Sequence, residues 1–386
     1  MYEDPIFYNF CDEKGIMVWQ DFAMACGCYP TTPEFCETIR QETIAIVRQL
    51  RQHSSIVLWA GDNECDQFVM GENFGRDPNT NKLTREVIPN VLYNEDVTRP
   101  YLPSSPYVDH EAKKYPDNYL SENHLWGPRD YFKSGYYINS YCHFVSEMGY
   151  HGCPSVESIQ KFISPDKLWP WQNNDEWIVH ASSPELSTGP YNYRIELIAK
   201  QVKELFGEIP DNLESFVFAS QASQAEAKKF FIELFRTGQP RRTGILWWNL
   251  LDGWPQFSDA VVDYYFGKKL AYHFIKRSQS PLMLMFKEPG NWRLPFVVVN
   301  NSEYSQEFAY EVTDCDTGEV VLHGHGNCHA NSVAELGTIP YSQGDKKLYK
   351  IKWQCALSNG INHYVAGQPP FSLEWYKKHI REIYND

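Results

Sequence analysis

The sequence predicts an α/β chain, with a parallel sheet of βα-barrel type over residues 1–280 and an antiparallel β-sandwich over residues 281–386. Three features carry this. Short apolar runs alternate with amphipathic helical stretches through the first 280 residues, the pattern of a parallel sheet with helices outside it. Several of those runs break abruptly into polar or acidic residues, as Ile56-Val57-Leu58-Trp59 does at Ala60-Gly61-Asp62-Asn63-Glu64. Beyond residue 281 the runs become short and β-rich, split by Asn, Gly and Asp turns, which is the pattern of antiparallel strands.

Taken in order, residues 4–14 read as a helix with Phe7, Phe10 and Cys11 on one side and Gly15 as its stop. Ile16-Met17-Val18-Trp19 reads as a buried strand that finishes at Gln20-Asp21-Phe22. Thr32-Pro33 opens the next helix, because a hydroxyl cap followed by proline suits a first turn whose N–H groups lack partners. Phe35, Ile39, Ile46 and Leu50 mark its inner face. The strand ending at Glu64 follows, then a polar segment over 66–98 that turns helical near Glu86 to Tyr93. Strands are expected at Tyr101 to Pro106, Tyr119 to Trp126 and Cys142 to Glu147, and a helix over Ser155 to Phe162.

Residues 164–190, with Trp169, Trp171 and Trp177, read as a long irregular loop, either a functional lid or a packed surface excursion. A helix is expected over Arg194 to Phe206, stopped by Gly207. Ser223-Gln224-Ala225-Glu226 has the form of a capping box opening a helix to Arg236. Gly244 to Asp252 reads as a strand, and Lys268 to Arg277 as the closing helix. The tail strands are expected around Phe296 to Val299, Phe308 to Val312, Val320 to Leu322 and Leu348 to Ile351.

Composition narrows the function. A net charge of −14 argues against a nucleic-acid partner, which needs a basic stripe to displace counterions. No apolar run approaches the roughly 18 residues of a membrane span, so none is expected. The chain holds 12 Trp, 25 Tyr and 22 Phe, and flat aromatic faces with a polar edge suit sugar rings, although most are expected in the core. Its ten cysteines lack metal-site spacing: Cys26-Gly27-Cys28 has no second pair nearby, and buried thiols are the expectation. The sequon Asn300-Asn301-Ser302 carries little weight. No cofactor or metal is called for, and the sequence leaves the compartment open.

In a βα barrel the carboxyl ends of the strands face the active site. Glu64 and Glu147 each close an apolar run and are therefore the candidate catalytic residues. Two carboxylates on different strand ends, with Trp and Asn around them, suit glycoside hydrolysis, in which one acid protonates the leaving oxygen and the other attacks the sugar or activates water.

These motifs resemble those of glycoside hydrolase family 2, and within it the β-mannosidase-like branch. The resemblance rests on Phe7-Tyr8 through Gly15-Ile16-Met17-Val18-Trp19-Gln20-Asp21-Phe22, on Trp59 to Glu64, on Arg99-Pro100-Tyr101 with Pro103 to Pro106, on Ser146-Glu147-Met148-Gly149, and on Trp248 to Pro255. It runs from about residue 2 to 280 and is looser in the tail. It implies a (β/α)8 TIM-barrel catalytic domain, incomplete at its N-terminus, followed by an immunoglobulin-like β-sandwich. It also implies a retaining exo-β-glycosidase acting on terminal β-linked sugars. Glu64 then matches the acid/base, Asn63 the holder of the sugar's 2-substituent, Glu147 the nucleophile and Trp248 the aromatic floor of the sugar subsite. By position Asp21, His124, Trp126, Asp252 and Trp254 match pocket lining, with rim packing an equal alternative for Asp252 and Trp254.

Family members carry two sandwich domains and two barrel strands ahead of this point. The expectation is therefore a fragment, poorly stable and inactive or nearly so alone, able to work if a partner chain supplies the missing part. His124-Leu125-Trp126-Gly127-Pro128-Arg129 departs from the family's Trp-His-Gly pattern, which keeps β-glucosaminide, β-galactoside and β-glucuronide substrates open beside β-mannoside. An inactive carbohydrate-binding fragment is the competing reading.

Overall fold

The computed structural model describes residues 2–71, 74–115, 119–181, 194–356 and 359–384. They form two compact units: Met1–His124 with Ser140–Ser146, and Leu125–Asn139 with Glu147–Asp386. The change to sheet-rich chain near residue 281 falls inside the second unit.

The first unit is a parallel sheet with helices. It holds α1 (Pro5–Lys14), β1 (Val18–Asp21), α2 (Pro33–Leu50), β2 (Ile56–Ala60), α3 (Cys65–Met70), α4 (Ile88–Glu95), β3 (Tyr101–Leu102) and β4 (Glu122–His124). As expected, Gly15 ends α1 in the left-handed region at φ 67°, and the Thr32 side chain accepts from the Phe35 amide to open α2. β1, β2 and β3 pair in parallel in that order, with Val18 opposite Ile56 and Trp59 opposite Tyr101. The ladder outlasts the strands: Asn63 bridges in parallel to both Ala25 and Ser105. Gly61 is needed on the way, because a Cβ there would sit 2.2 Å from the Pro103 carbonyl oxygen.

The core beneath this sheet gathers Tyr8, Val18, Phe22, Ile39, Val47, Ile56, Trp59 and Leu92 among others. Trp59 is fully buried, stacks on Phe22 at 5.5 Å, and donates its indole N–H to Asp96 at 2.9 Å. Two expectations for the start of the chain are corrected. Phe7 and Phe10 are exposed, and Tyr8 is the inward aromatic, held by its hydroxyl to Gln20 Oε1 at 2.6 Å. Ile16 and Met17 are exposed too, so the buried strand begins only at Val18.

The second unit holds α5 (Gly135–Ile138), the last residue of β5 (Phe144–Glu147), α6 (Val156–Ile159), α7 (Asp175–Ala181), α8 (Arg194–Phe206), α9 (Leu213–Thr237), β6 (Gly244–Ile245) and α10 (Leu270–Ser278). Strands β7 (Leu282–Phe286), β8 (Arg293–Asn300), β9 (Gln306–Asp314), β10 (Val320–Cys328), β11 (Ser332–Pro340), β12 (Lys347–Cys355) and β13 (Asn359–Ala366) follow, then α11 (Leu373–Tyr384). The tail strands form two antiparallel sheets, ordered β10-β9-β12-β13 and β11-β8-β7. Both contribute to one apolar core, with Met283, Phe296 and Val298 from one sheet and Val312, Ile351 and Trp353 from the other.

Three further expectations for this unit are corrected. The Ser223 box opens no helix: α9 starts ten residues earlier, where Asn212 accepts from the Ser215 amide, and Ser223 lies buried within it. The strand expected to reach Asp252 keeps only Gly244 and Ile245, and Trp248 lies in irregular chain. The segment after 164 is packed over its described part: α7 occupies it, and fully buried Trp177 stacks on Phe257 at 4.2 Å. Residues 182–190 of that expected loop lie outside the described residues. The sequon residue Asn300 is fully buried, its amide donating to the Tyr304, Cys328 and His329 carbonyls, so it offers no acceptor for a glycan. The ten cysteines are free thiols, and five of them are buried. Among the described residues, no helix is long and apolar enough to cross a membrane.

Candidate active site

The site residues of the first unit are set by the strand ends. The ladder resumes at Asn63, past the end of β2 at Ala60, and the Glu64 amide then donates to the Ser105 carbonyl at 2.8 Å. Glu64 takes φ 60°, a left-handed conformation uncommon for a residue with a Cβ, and begins α3. Such outliers persist where the surroundings over-determine them, often at functional sites. Just before it, Asp62 is fully buried, and burial pushes its carboxyl up to about 7 despite hydrogen bonds from Ser104 and the Cys65 amide. Asp62 thus anchors the turn that aims Glu64.

Both oxygens of Glu64 are engaged. Oε1 lies 2.7 Å from His124 Nδ1 on β4, and Oε2 accepts from the exposed Cys26 thiol at 3.3 Å. Asn63 Nδ2 donates to the same sulfur at 3.7 Å. His124 Nε2 is 3.0 Å from Ser105 Oγ, whose hydroxyl donates to Glu122 Oε1 at 2.7 Å. Ser146 also donates to Glu122.

This chain of partners has a chemical direction. With the Ser105 hydrogen directed to Glu122, Ser105 Oγ accepts from His124 Nε2–H. A neutral His124 then offers Nδ1 only as an acceptor, so the hydrogen in the 2.7 Å contact belongs to Glu64. If His124 is charged instead, Glu64 is a carboxylate. Either way a carboxyl and an imidazole stand at hydrogen-bond distance, where a proton can pass between them, which suits a group that first donates and later accepts a proton. Asp21, at the end of β1, takes a 2.9 Å hydrogen bond from Trp19 Nε1; burial raises its carboxyl, with Trp19 and then His124 opposing.

The second unit contributes a separate group. Glu147 ends β5, its carbonyl accepting from the Leu125 amide at 2.8 Å. Trp126 Nε1 donates to Glu147 Oε1 at 3.0 Å, which orients that carboxylate. The Trp126 ring is fixed by the Arg129 guanidinium 4.4 Å from its centroid and by Gly149, where a Cβ would come within 2.6 Å of the indole. Trp248 is 48 % exposed, with its amide donating to the Met148 carbonyl at 2.7 Å. Asp252 is 2 % exposed and bonded by Ser258 at 2.6 Å and Gln256 at 2.8 Å; burial raises its carboxyl. Trp254, 41 % exposed, stacks on His180 at 5.4 Å.

Within the first unit, then, the structure brings Asn63, Glu64 and His124 together, and within the second, Trp126 and Glu147. Asp252 engages Ser258 and Gln256, and Trp254 engages His180 of α7. Sequence reasoning missed Cys26, Ser105 and Glu122. Cys26 and Ser105 had a usable signal, since they lie in the chain that runs on from β1 and β3.

No family model matches the chain. It is 32% identical over 316 residues to the β-mannosidase B of Thermothelomyces thermophilus, covering 74% of this chain and 35% of that one. It is 28% identical over 313 residues to the β-mannosidase of Capra hircus, covering 73% and 34% respectively. Among solved structures, a β-D-mannosidase from Dictyoglomus thermophilum aligns with a TM-score of 0.83 at 28% identity, over 96% of this chain and 45% of that one. An Amycolatopsis orientalis exo-chitosanase shares the fold at a TM-score of 0.73 and 16% identity, over 98% and 47%. The chain spans about a third of the length of the curated relatives it matches.

Proposed function

From a chain homologous to the β-mannosidases of glycoside hydrolase family 2, we propose a retaining exo-β-glycosidase acting on terminal β-mannosides. In this reading residues 1–280 are the TIM-barrel catalytic part and residues 281–386 the immunoglobulin-like sandwich. Glu147 attacks the sugar's anomeric carbon while Glu64 protonates the departing oxygen; Glu64 then deprotonates the water that releases the sugar from Glu147. Asn63 holds the 2-substituent, Trp248 forms the floor of the sugar subsite, and Asp21, His124 and Trp126 line the pocket.

The observation that carries the reading is the 2.7 Å contact between Glu64 Oε1 and His124 Nδ1, backed by Ser105 and Glu122. Giving its proton to the leaving oxygen makes the Glu64–His124 pair one unit more negative, and the proton later taken from water restores it, so the same group serves as acid and then as base. The donor from Trp126 to Glu147 supports the other half, because it favours the ionised, attacking form.

A panel of aryl β-glycosides tests the activity, with mannoside expected to be cleaved faster than glucosaminide, galactoside or glucuronide. A 2-deoxy-2-fluoro-β-mannosyl fluoride trap followed by peptide mass spectrometry is expected to label Glu147. A label on any other residue overturns the assignment, and sugar binding without hydrolysis of any aryl glycoside replaces it with a carbohydrate-binding function.

A further inference from the structure

α9 turns a row of polar side chains inward. Gln224 is fully buried, and its amide nitrogen donates to the Tyr150 and Asp259 carbonyls, each at 2.9 Å. Lys228, four residues on and so on the same helix face, is 1 % exposed. Its ammonium nitrogen donates to the Trp248 carbonyl and lies 5.6 Å from the Trp247 ring centroid. Lys269, also 1 % exposed, donates to the Gly152 carbonyl at 2.8 Å. The carbonyls these side chains serve lie in irregular chain after β5 and after β6.

Trp248 is gripped from both sides. Its amide is held by Met148 and its carbonyl by Lys228, while the residue as a whole is 48 % exposed. We propose that Lys228 is a positioning residue for the sugar platform: it fixes the Trp248 backbone from beneath so that the indole is presented in one orientation before a sugar arrives. This rests on the reading of Trp248 as the floor of the sugar subsite.

Chemistry favours lysine for this task. A buried carbonyl left without a donor is costly, and irregular chain offers no ladder to supply one. The long, thin lysine stem, itself buried, spans from the helix to the loop. Burial pushes the Lys228 ammonium down to about 7, with Asp259 opposing. The amine donates a hydrogen bond in either protonation state, so the grip survives that titration. Pre-ordering the indole lowers the entropy that binding must otherwise overcome, which is how a residue that never touches sugar acts on affinity.

A double-mutant cycle on the full chain tests this. Binding of methyl 1-thio-β-D-mannopyranoside, a sulfur-linked glycoside resistant to hydrolysis, is measured by titration calorimetry for the native chain, Lys228→Met, Trp248→Ala and the double variant. Lys228→Met is expected to weaken binding roughly tenfold, the scale of one buried hydrogen bond. Trp248→Ala is expected to weaken it at least as much, and adding Lys228→Met to Trp248→Ala is expected to change nothing further. Full additivity, or native affinity in Lys228→Met, overturns the inference and leaves the platform reading standing. Native affinity in Trp248→Ala, or no thioglycoside binding at all, overturns the platform reading and the inference with it. Should Lys228→Met lose the native near-ultraviolet dichroism, Lys228→Leu, which likewise removes the donor, runs the same cycle with the same outcomes deciding.

Discussion

Replacing Gly61 by alanine probes how tightly the strand ends that carry Glu64 are packed. An added Cβ would meet the Pro103 carbonyl oxygen at 2.2 Å, the Tyr101 hydroxyl at 2.6 Å and Thr84 Cγ2 at 2.9 Å, against an ordinary contact of 3.4–4 Å. The nearest atom is backbone, so it cannot swing aside as a flexible side chain would. Relief requires β2 and the chain after β3 to part by about an ångström, at the level where Asn63 bridges Ser105 and Glu64 bonds the Ser105 carbonyl. Overpacking of this kind costs about 3 kcal/mol, the upper part of the usual range. At roughly 2 °C per kcal/mol for a chain of this size, the thermal midpoint should fall by about 6 °C.

The comparison is Gly290→Ala, where a Cβ meets nothing within 4 Å; it should stay within about 0.5 kcal/mol of the native chain. The assay is thermal and urea unfolding followed by circular dichroism, with hydrolysis of an aryl β-mannoside measured alongside. Equal unfolding of Gly61→Ala and Gly290→Ala, with activity intact, would refute the claim that this crossing admits only glycine.

Glu64→Gln should slow hydrolysis of glycosides with poor leaving groups by about 10²- to 10⁴-fold, the scale of acid catalysis, while activated aryl glycosides lose far less; steady-state rates across a leaving-group series check this. His151 is fully buried, and burial holds its imidazole down to about 3 despite Asp259 3.1 Å away. Its folded value therefore lies below the unfolded one. The unfolded chain takes up the proton first, so stability should decline as the pH falls from about 6.5 towards 3. Urea midpoints at pH 7, 5 and 4 should show that slope, and His151→Gln should flatten it. Glu226 is buried with His363 Nε2 at 2.6 Å and the Tyr376 hydroxyl at 2.6 Å. Glu226→Gln should cost about 3–5 kcal/mol, the usual result of breaking a buried pair, read as a lowered urea midpoint.

Features set by neighbours a few residues apart were readable without coordinates. Thr32 and Pro33 announced α2, and Gly15 announced the end of α1, because capping and left-handed stops are local matters. The acidic ends at Glu64 and Glu147 were readable because an apolar run that stops at a carboxylate is a local contrast. What failed depended on distant partners. Tyr8 rather than Phe7 points inward because Gln20 receives its hydroxyl. The Ser-x-x-Glu form at Ser223 misled because Glu226 answers to His363 and Tyr376, more than a hundred residues away. Cys26, Ser105 and Glu122 escaped notice because their roles arise only when neighbouring strand ends lie side by side.

The inward polar row of α9 also bears on how the second unit assembles. Glu226 is held by His363 and Tyr376 from the tail that follows residue 281, and Glu233, paired with Lys229 inside α9, takes a further hydrogen bond from Asn362 of that tail. Until β13 and α11 arrive, the nascent helix would carry carboxylates on the face it must bury, so water competes for that surface. Such long sequence separations slow a folding reaction, since loop closure must precede the contacts that reward it. They also make it all-or-none: helix and tail should lose hydrogen-exchange protection together, and a chain ended at residue 280 should leave α9 frayed rather than merely uncovered.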